Sequence, residues 1–209
     1  NLLFKKQNMR RKNLIVKRKV KEKLLLKDPK ISIFYKKFKS IIFKSIKKKN
    51  FAIAVSGGAD SLSLAFFSKI YLSEFKNKLY VIIVDHQIRK NSYKEALKVQ
   101  SILKKKKIKS TILQWKGEIP KSNIQKNARD MRYSLISNFC MKKNIKFLVT
   151  AHHEDDQIEN FFIRLLRGSG LAGLSSMSPN TKYSKSLRII RPLLNLKKSD
   201  LKYVTLKYF

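Results

Sequence analysis

The sequence contains one cysteine, Cys140, in 209 residues. A single thiol rules out an intramolecular disulfide framework, a cysteine-based zinc site and a cysteine-ligated iron–sulfur cluster. Within "LISNFCMKKN" it falls on the apolar face of an expected helix, the setting of a buried free thiol. Acids are also scarce: 13 Asp and Glu stand against 49 Lys and Arg, a formal net charge of +36. That imbalance points to a polyanionic partner, nucleic acid before anionic membrane. A/T-rich codon usage, which favours Lys, Ile, Asn and Phe, accounts for it equally well. No apolar stretch is long enough to span a membrane, and the basic N-terminus lacks the apolar core of a secretory signal. The expected compartment is the cytoplasm. No internal repeat is visible. The first Met is Met9, and the sequence stops at "LKYVTLKYF" inside a helical pattern, so a piece of a longer chain is expected.

The residues that are present describe a globular domain, with 43% hydrophobic residues. Residues 1–30 are Lys/Arg-rich with short apolar triplets and read as a basic arm, and a helix is expected over 31–48. From residue 51 short apolar runs alternate with helical periodicity. Strands are expected at "FAIAV" (51–55), "LYVIIV" (79–84), "STILQW" (110–115) and "KFLVT" (146–150). Helices are expected over 60–73, 92–107, 123–142 and 155–166. Alternation of this kind, with fully apolar strands, predicts an α/β fold: a parallel sheet with helices on both faces. Ligands in such sheets bind beyond the carboxyl ends of the strands, which selects the stretches after Val55, Val84, Trp115 and Thr150.

After Val55 comes Ser56-Gly57-Gly58-Ala59-Asp60-Ser61. Two glycines permit a tight turn, and the loop N–H groups with the following helix N-terminus form an anion site. Ser56 and Ser61 add hydroxyls. Asp60 would repel a phosphate, so it suits a Mg²⁺ ion or a substrate ammonium; as a plain helix start, Asp60 or Ser61 would be a cap. The loop is not a Walker A loop, because no Gly-Lys-Ser/Thr follows. After Val84 come Asp85 and His86, at a crevice position or simply on a polar surface. Arg129 and Arg132 share a helix face, either to clamp phosphate or to lie solvated. After Thr150, "AHHEDDQIEN" crowds His152, His153, Asp155, Asp156 and Glu159 at the mouth of the fourth strand. The acids favour the helix dipole, or else hold a cation opposite Asp60. The spacing is not His-Glu-x-x-His. Gly168, Gly170 and Gly173 match G-x-G-x-x-G, but they follow a helix rather than a strand, so the dinucleotide reading falls. The string reads as a flexible loop beside Arg164 and Arg167.

"SGGADS" resembles the pyrophosphate-loop signature of the N-type ATP pyrophosphatases. With "VDHQIRKNS", "NARDMRY", "AHHEDDQIENFFIRLLRGSGLAGLSSM" and "RPLL" in order, the sequence resembles the tRNA(Ile)-lysidine synthases from the first strand onward. The resemblance implies an adenine nucleotide alpha-hydrolase-like, Rossmann-like fold over residues 31–209, a catalytic domain without the family's C-terminal tRNA-binding domains. It implies ATP and Mg²⁺, and as partners free L-lysine, a CAU-anticodon tRNA(Ile), no membrane, and a homodimer. The implied reaction ligates lysine to C2 of the wobble cytidine through an adenylated intermediate, releasing AMP and pyrophosphate. Ser56, Gly57, Gly58, Ala59, Asp60 and Ser61 would bind ATP, with Asp60 also the Mg²⁺ ligand. Asp60, Arg129 and Asp156 would be catalytic. His86, Arg132, His153, Glu159, Arg167 and Gly168 would bind substrate. Many family members carry an acid where this sequence has Gln125, which is assigned no role. The alternatives are another pyrophosphate-loop tRNA-modifying enzyme such as a thiolase, or a basic RNA-binding module with a vestigial nucleotide site.

Overall fold

The computed structural model describes residues 26–75, 77–117, 122–168 and 176–209. Most of the expected basic arm (1–25), and residues 169–175 of the glycine-rich string, lie outside the described residues. The elements run α1 (Pro29–Ile46), β1 (Phe51–Ala54), α2 (Ala59–Glu74), β2 (Leu79–Asp85), α3 (Ser92–Lys105), β3 (Ser110–Gln114) and α4 (Ile124–Lys142). They continue through β4 (Phe147–Val149), α5 (Glu154–Leu166), β5 (Asn180–Lys182) and β6 (Arg188–Ile190) to α6 (Lys198–Tyr208).

The six strands form one sheet in the order β3-β2-β1-β4-β6-β5. All neighbours are parallel except β5, which runs antiparallel to β6. Side chains alternate across each strand, so each strand feeds two cores. Phe51, Ile53 and Val55 pack on one face with α1, α2, α3 and α6. Ala52, Ile82, Leu148 and Ile189 pack on the other with Tyr133, Ile136 and Cys140 of α4. The expected α/β class, a parallel sheet covered on both faces, is the observed one. Cys140 is buried, and burial pushes its thiol up to about 12.

α1 begins at Pro29, two residues before the expected start. Asp28 Oδ1 accepts the N–H groups of Lys30 (3.0 Å) and Ile31 (3.2 Å), and Pro29 fits the first helical position because its missing N–H costs nothing there. The α1 side chains Ile31, Phe34, Tyr35, Phe38, Ile42 and Ile46 form the buried stripe that docks on α2. In α2 every residue from Ser61 to Ser68 is buried. Its serines let α6 approach closely: Ser63 Oγ donates to Leu201 O at 2.7 Å. The hairpin of β5 and β6 is absent from the sequence expectation. Each strand has three residues, and β5 (Asn-Thr-Lys) has no apolar alternation to announce it.

Candidate functional site

From β1 the chain steps outward through β2 to β3, then returns along α4 on the opposite face to enter β4 on the other side of β1. The strand order therefore reverses between β1 and β4, and a crevice forms beyond their carboxyl ends. A cleft of about 420 Å³ opens there.

Ser56, Asp60 and Ser61 line it from the β1–α2 turn. Gly57 has φ +91°, and a Cβ on it would lie 2.5 Å from Val99 Cγ2, so both backbone conformation and packing demand glycine. Gly58 has ordinary dihedrals, is the N-cap of α2, and an added Cβ there would meet only Ser56 Oγ, at an ordinary 3.9 Å. Ser61 Oγ accepts the N–H groups of Ser56 and Gly57, both at 3.2 Å, and donates to Gly58 O at 3.0 Å. A side-chain oxygen thus sits where the loop's N–H groups converge. The first-turn N–H groups of α2, from Ala59 on, have no intrahelical acceptor by construction and present a second set of donors.

Three more segments complete the wall. Asp85 and His86 come from the end of β2, Arg129 and Arg132 from α4, and Thr150, His152 and Asp156 from the segment after β4. Arg129 lies over the Tyr133 ring at 5.2 Å. Burial draws the Arg132 guanidinium below its ordinary value, Tyr133 opposes this and Arg129 reinforces it. Both arginines line the cleft, so the pair presents positive charge to it. Burial also lowers His86, with Arg132 adding to the effect and Asp85 opposing it. Asp60 Oδ1 is buried with no hydrogen-bond partner among the described residues, while Oδ2 lies 3.6 Å from His153 Nε2. His153 Nε2 is also 3.6 Å from Asp156 Oδ2, which accepts the His153 N–H at 2.9 Å. His153 therefore bridges the two acids from beneath the cleft floor, with 4% of its surface exposed.

His152, not His153, faces the cleft. Its Nδ1 lies 2.8 Å from Thr150 Oγ1. Burial first, then the positive charge of Arg191, pushes its pKa down to about 4, with Asp156 opposing. Asp85 and His152, which the sequence reading placed at strand ends without giving them a site role, line the cleft together with Thr150. The adjacent position of His152 in the His-His pair carried the signal, but which of the two faces inward depends on the loop's path. Glu159, Arg167 and Gly168 do not line the cleft: all three are exposed along or just past α5. Gly168 has φ +68° and nothing within 4 Å of an added Cβ. Among the described residues no group of three or more His, Cys, Asp and Glu side chains is placed to hold a metal ion. The acids after β4 do not gather around Asp60 as a protein-only metal cage.

Fold and cleft together define a mostly parallel α/β domain with a glycine-containing loop at its switch point, faced by arginines across the crevice. The chain belongs to the PP-loop domain family, whose model matches residues 30–208. It is 48% identical over 151 residues to the tRNA(Ile)-lysidine synthase of Orientia tsutsugamushi (strain Boryong), covering 72% of this chain and 34% of that protein. Against the tRNA(Ile)-lysidine synthase of Rickettsia typhi (strain ATCC VR-144 / Wilmington) the identity is 43% over 150 residues, with the same coverage of each. The chain thus spans about a third of the length of these curated relatives. Among solved structures it resembles the U34-tRNA thiolase NcsA of Methanococcus maripaludis, described with its [4Fe-4S] cluster. The TM-score is 0.74 at 18% identity, over 87% of this chain and 66% of that one, a likeness of fold.

Proposed function

We propose that the chain carries the ATP-dependent catalytic part of a tRNA(Ile)-lysidine synthase. In this reading ATP adenylates the C2 oxygen of the wobble cytidine in a CAU-anticodon tRNA(Ile), and pyrophosphate leaves. The amino group of free L-lysine then attacks C2, AMP departs with the oxygen, and lysidine remains. The observation that carries the reading is the union, in one cleft, of the Ser56–Ser61 loop, the Arg129–Arg132 pair and the carboxylates Asp60 and Asp156. These are the groups such chemistry requires. C2 of cytosine is a poor electrophile, so the enzyme must clamp phosphate and neutralise charge rather than supply a nucleophile.

The residue roles follow from charge. Ser56, Gly57, Gly58, Ala59 and Ser61 bind the ATP phosphates, Ser61 Oγ yielding its N–H donors to a phosphate oxygen. Arg129 and Arg132 face the anionic reactants. Asp156 and Asp60 face a cation, the lysine ammonium or a metal. The unpaired Asp60 Oδ1 fits one ligand of Mg²⁺, which is commonly held by one or two carboxylates together with substrate phosphates. When bound, Mg²⁺ would neutralise phosphate charge. His86 and His153 bound the substrate space from the β2 end and from below, and Glu159, Arg167 and Gly168 would meet RNA outside the cleft. Such a reaction draws on cytoplasmic ATP, lysine and tRNA.

A thiolase is the weaker reading, because the one cysteine is buried and its thiol is raised far from reactive. The test is a product assay with Mg-ATP, lysine and unmodified CAU-anticodon tRNA(Ile), omitting each in turn. AMP and pyrophosphate that depend on tRNA, with lysine retained on the RNA, are expected. AMP without lysine transfer would reopen the substrate. No AMP, even from the chain extended to the length of its relatives, would leave a basic RNA-binding module.

A further inference from the structure

Tyr183 sits in the turn of the β5–β6 hairpin and is 44% exposed. Its ring stacks on Tyr133 of α4, with centroids 5.3 Å apart and planes 27° from parallel. Tyr133 is buried and lines the cleft, and Arg129 lies over its ring at 5.2 Å. One face of Tyr183 is thus taken by Tyr133, and its exposure comes from the other face and the edges. The turn that carries it is fixed. Leu187 O accepts the N–H groups of Tyr183 and Ser184 at 2.9 and 3.1 Å, Ser184 Oγ accepts the Leu187 N–H at 3.1 Å, and Leu187 itself is buried. The ring is therefore held in place before anything binds it. Tyr183 stands outside the core that Leu187 and Ile189 form with α4.

The surroundings are basic. Burial raises the Tyr183 hydroxyl above its ordinary value, Tyr133 and Asp130 add to this, and Arg129 opposes it, so both α4 charges lie near the ring. Tyr133 also acts on Arg132 and Arg191, which places three arginines around the inner ring of the stack. Lys182, Lys185 and Arg188 are exposed on the hairpin itself.

We propose, on the reading of the cleft given above, that Tyr183 is a stacking platform for an unpaired base of the RNA, the neighbour of the cytidine that enters the cleft. Chemistry at C2 takes that cytidine out of its stack. The adjacent base loses a stacking partner, and an anchored ring one step beyond the cleft wall replaces it. The arginines along the tyrosine pair supply the charge that follows the phosphate between the two bases. Single-stranded nucleic acid is the occupant because each of its units brings a flat π-face and a negative charge together.

The test is retention of an unmodified CAU anticodon stem-loop RNA by the full chain, with AMP formation on tRNA followed in parallel. Tyr183→Leu keeps an apolar side chain over Tyr133 and should weaken retention by about 5- to 150-fold, the range of one base–aromatic stack. The salt dependence of binding should keep its slope, because no charge is removed. Tyr183→Phe should bind like the wild type. With no substitution in the protein, bromouridine placed beside the wobble cytidine should cross-link to Tyr183 on irradiation. A Tyr183→Leu variant that binds as tightly as the wild type, a Tyr183→Phe variant as weak as Tyr183→Leu, or a cross-link that maps elsewhere would each overturn the platform. If AMP forms while retention ignores Tyr183, the platform falls and the reaction stands. If no AMP forms while retention depends on Tyr183, the reaction falls and the platform stands.

Discussion

At the β1–α2 turn the two glycines do different work, and single substitutions separate them. Gly57→Ala must tolerate both a φ of +91° and a contact of 2.5 Å with the stiff Val99 side chain. It should cost about 1–3 kcal/mol of stability, read as a lower urea midpoint. Gly58→Ala meets only Ser56 Oγ at 3.9 Å, so its midpoint should move by less than ~1 kcal/mol. If the loop binds phosphate, that methyl still projects near the first-turn donors, and ATP turnover should fall. Equal destabilisation by both would contradict this division. Asp60→Asn removes charge from a side chain whose Oδ1 bonds to nothing. Turnover should drop by ~100-fold or more with the thermal midpoint unchanged, and an active variant would remove Asp60 from the mechanism. Much of this was legible in the sequence, since paired glycines beside an acid at a strand end have few structural uses. The His-His pair was not. His152 faces the cleft and His153 is buried beneath it because of how the loop leaves β4, and neighbouring identical residues carry no mark of that path.

The segment joining β4 to α5 makes a prediction of its own. His152 is held neutral, its pKa near 4 against an ordinary 6.5, and His86 is lowered in the same sense. Between those two values the unfolded chain binds protons that the native chain refuses. Stability contributed by His152 is thus full above about pH 6.5 and lost as pH falls toward 4. Thermal melts should show a falling midpoint across that window, and His152→Gln should flatten the slope. An unchanged slope would mean the imidazole is not held neutral. At the same scale, the elements that sequence made legible were those with one strong signal. The apolar runs of β1 and β2 and the stripe of α1 each state their period plainly. β5 and β6 do not, because β6 is fixed by pairing with β4, and β5 by pairing with β6 and by Arg191, rather than by their own pattern. Arg191 Nη1 donates to Ser178 O at 2.9 Å and Thr181 Oγ1 at 2.8 Å. α5 was legible as a helix but not in its orientation: none of its residues is buried, whereas an amphipathic pattern alone argues for a buried stripe.

Over the whole molecule the net charge of +36 sets two responses to salt in opposite directions. Like charges repel within the folded chain, and the screening length falls from about 30 Å at 0.01 M to about 8 Å at 0.15 M. Self-repulsion therefore weakens as salt is added, and the thermal midpoint should rise. Under the proposed function RNA binding moves the other way, because each phosphate neutralised by Lys or Arg releases a counterion. The logarithm of the binding constant should fall linearly with the logarithm of salt concentration. Titrating salt while following RNA retention and the thermal midpoint on one sample distinguishes the two. RNA retention insensitive to salt would mean that the basic excess is compositional and that RNA meets the protein through a few specific contacts at the cleft.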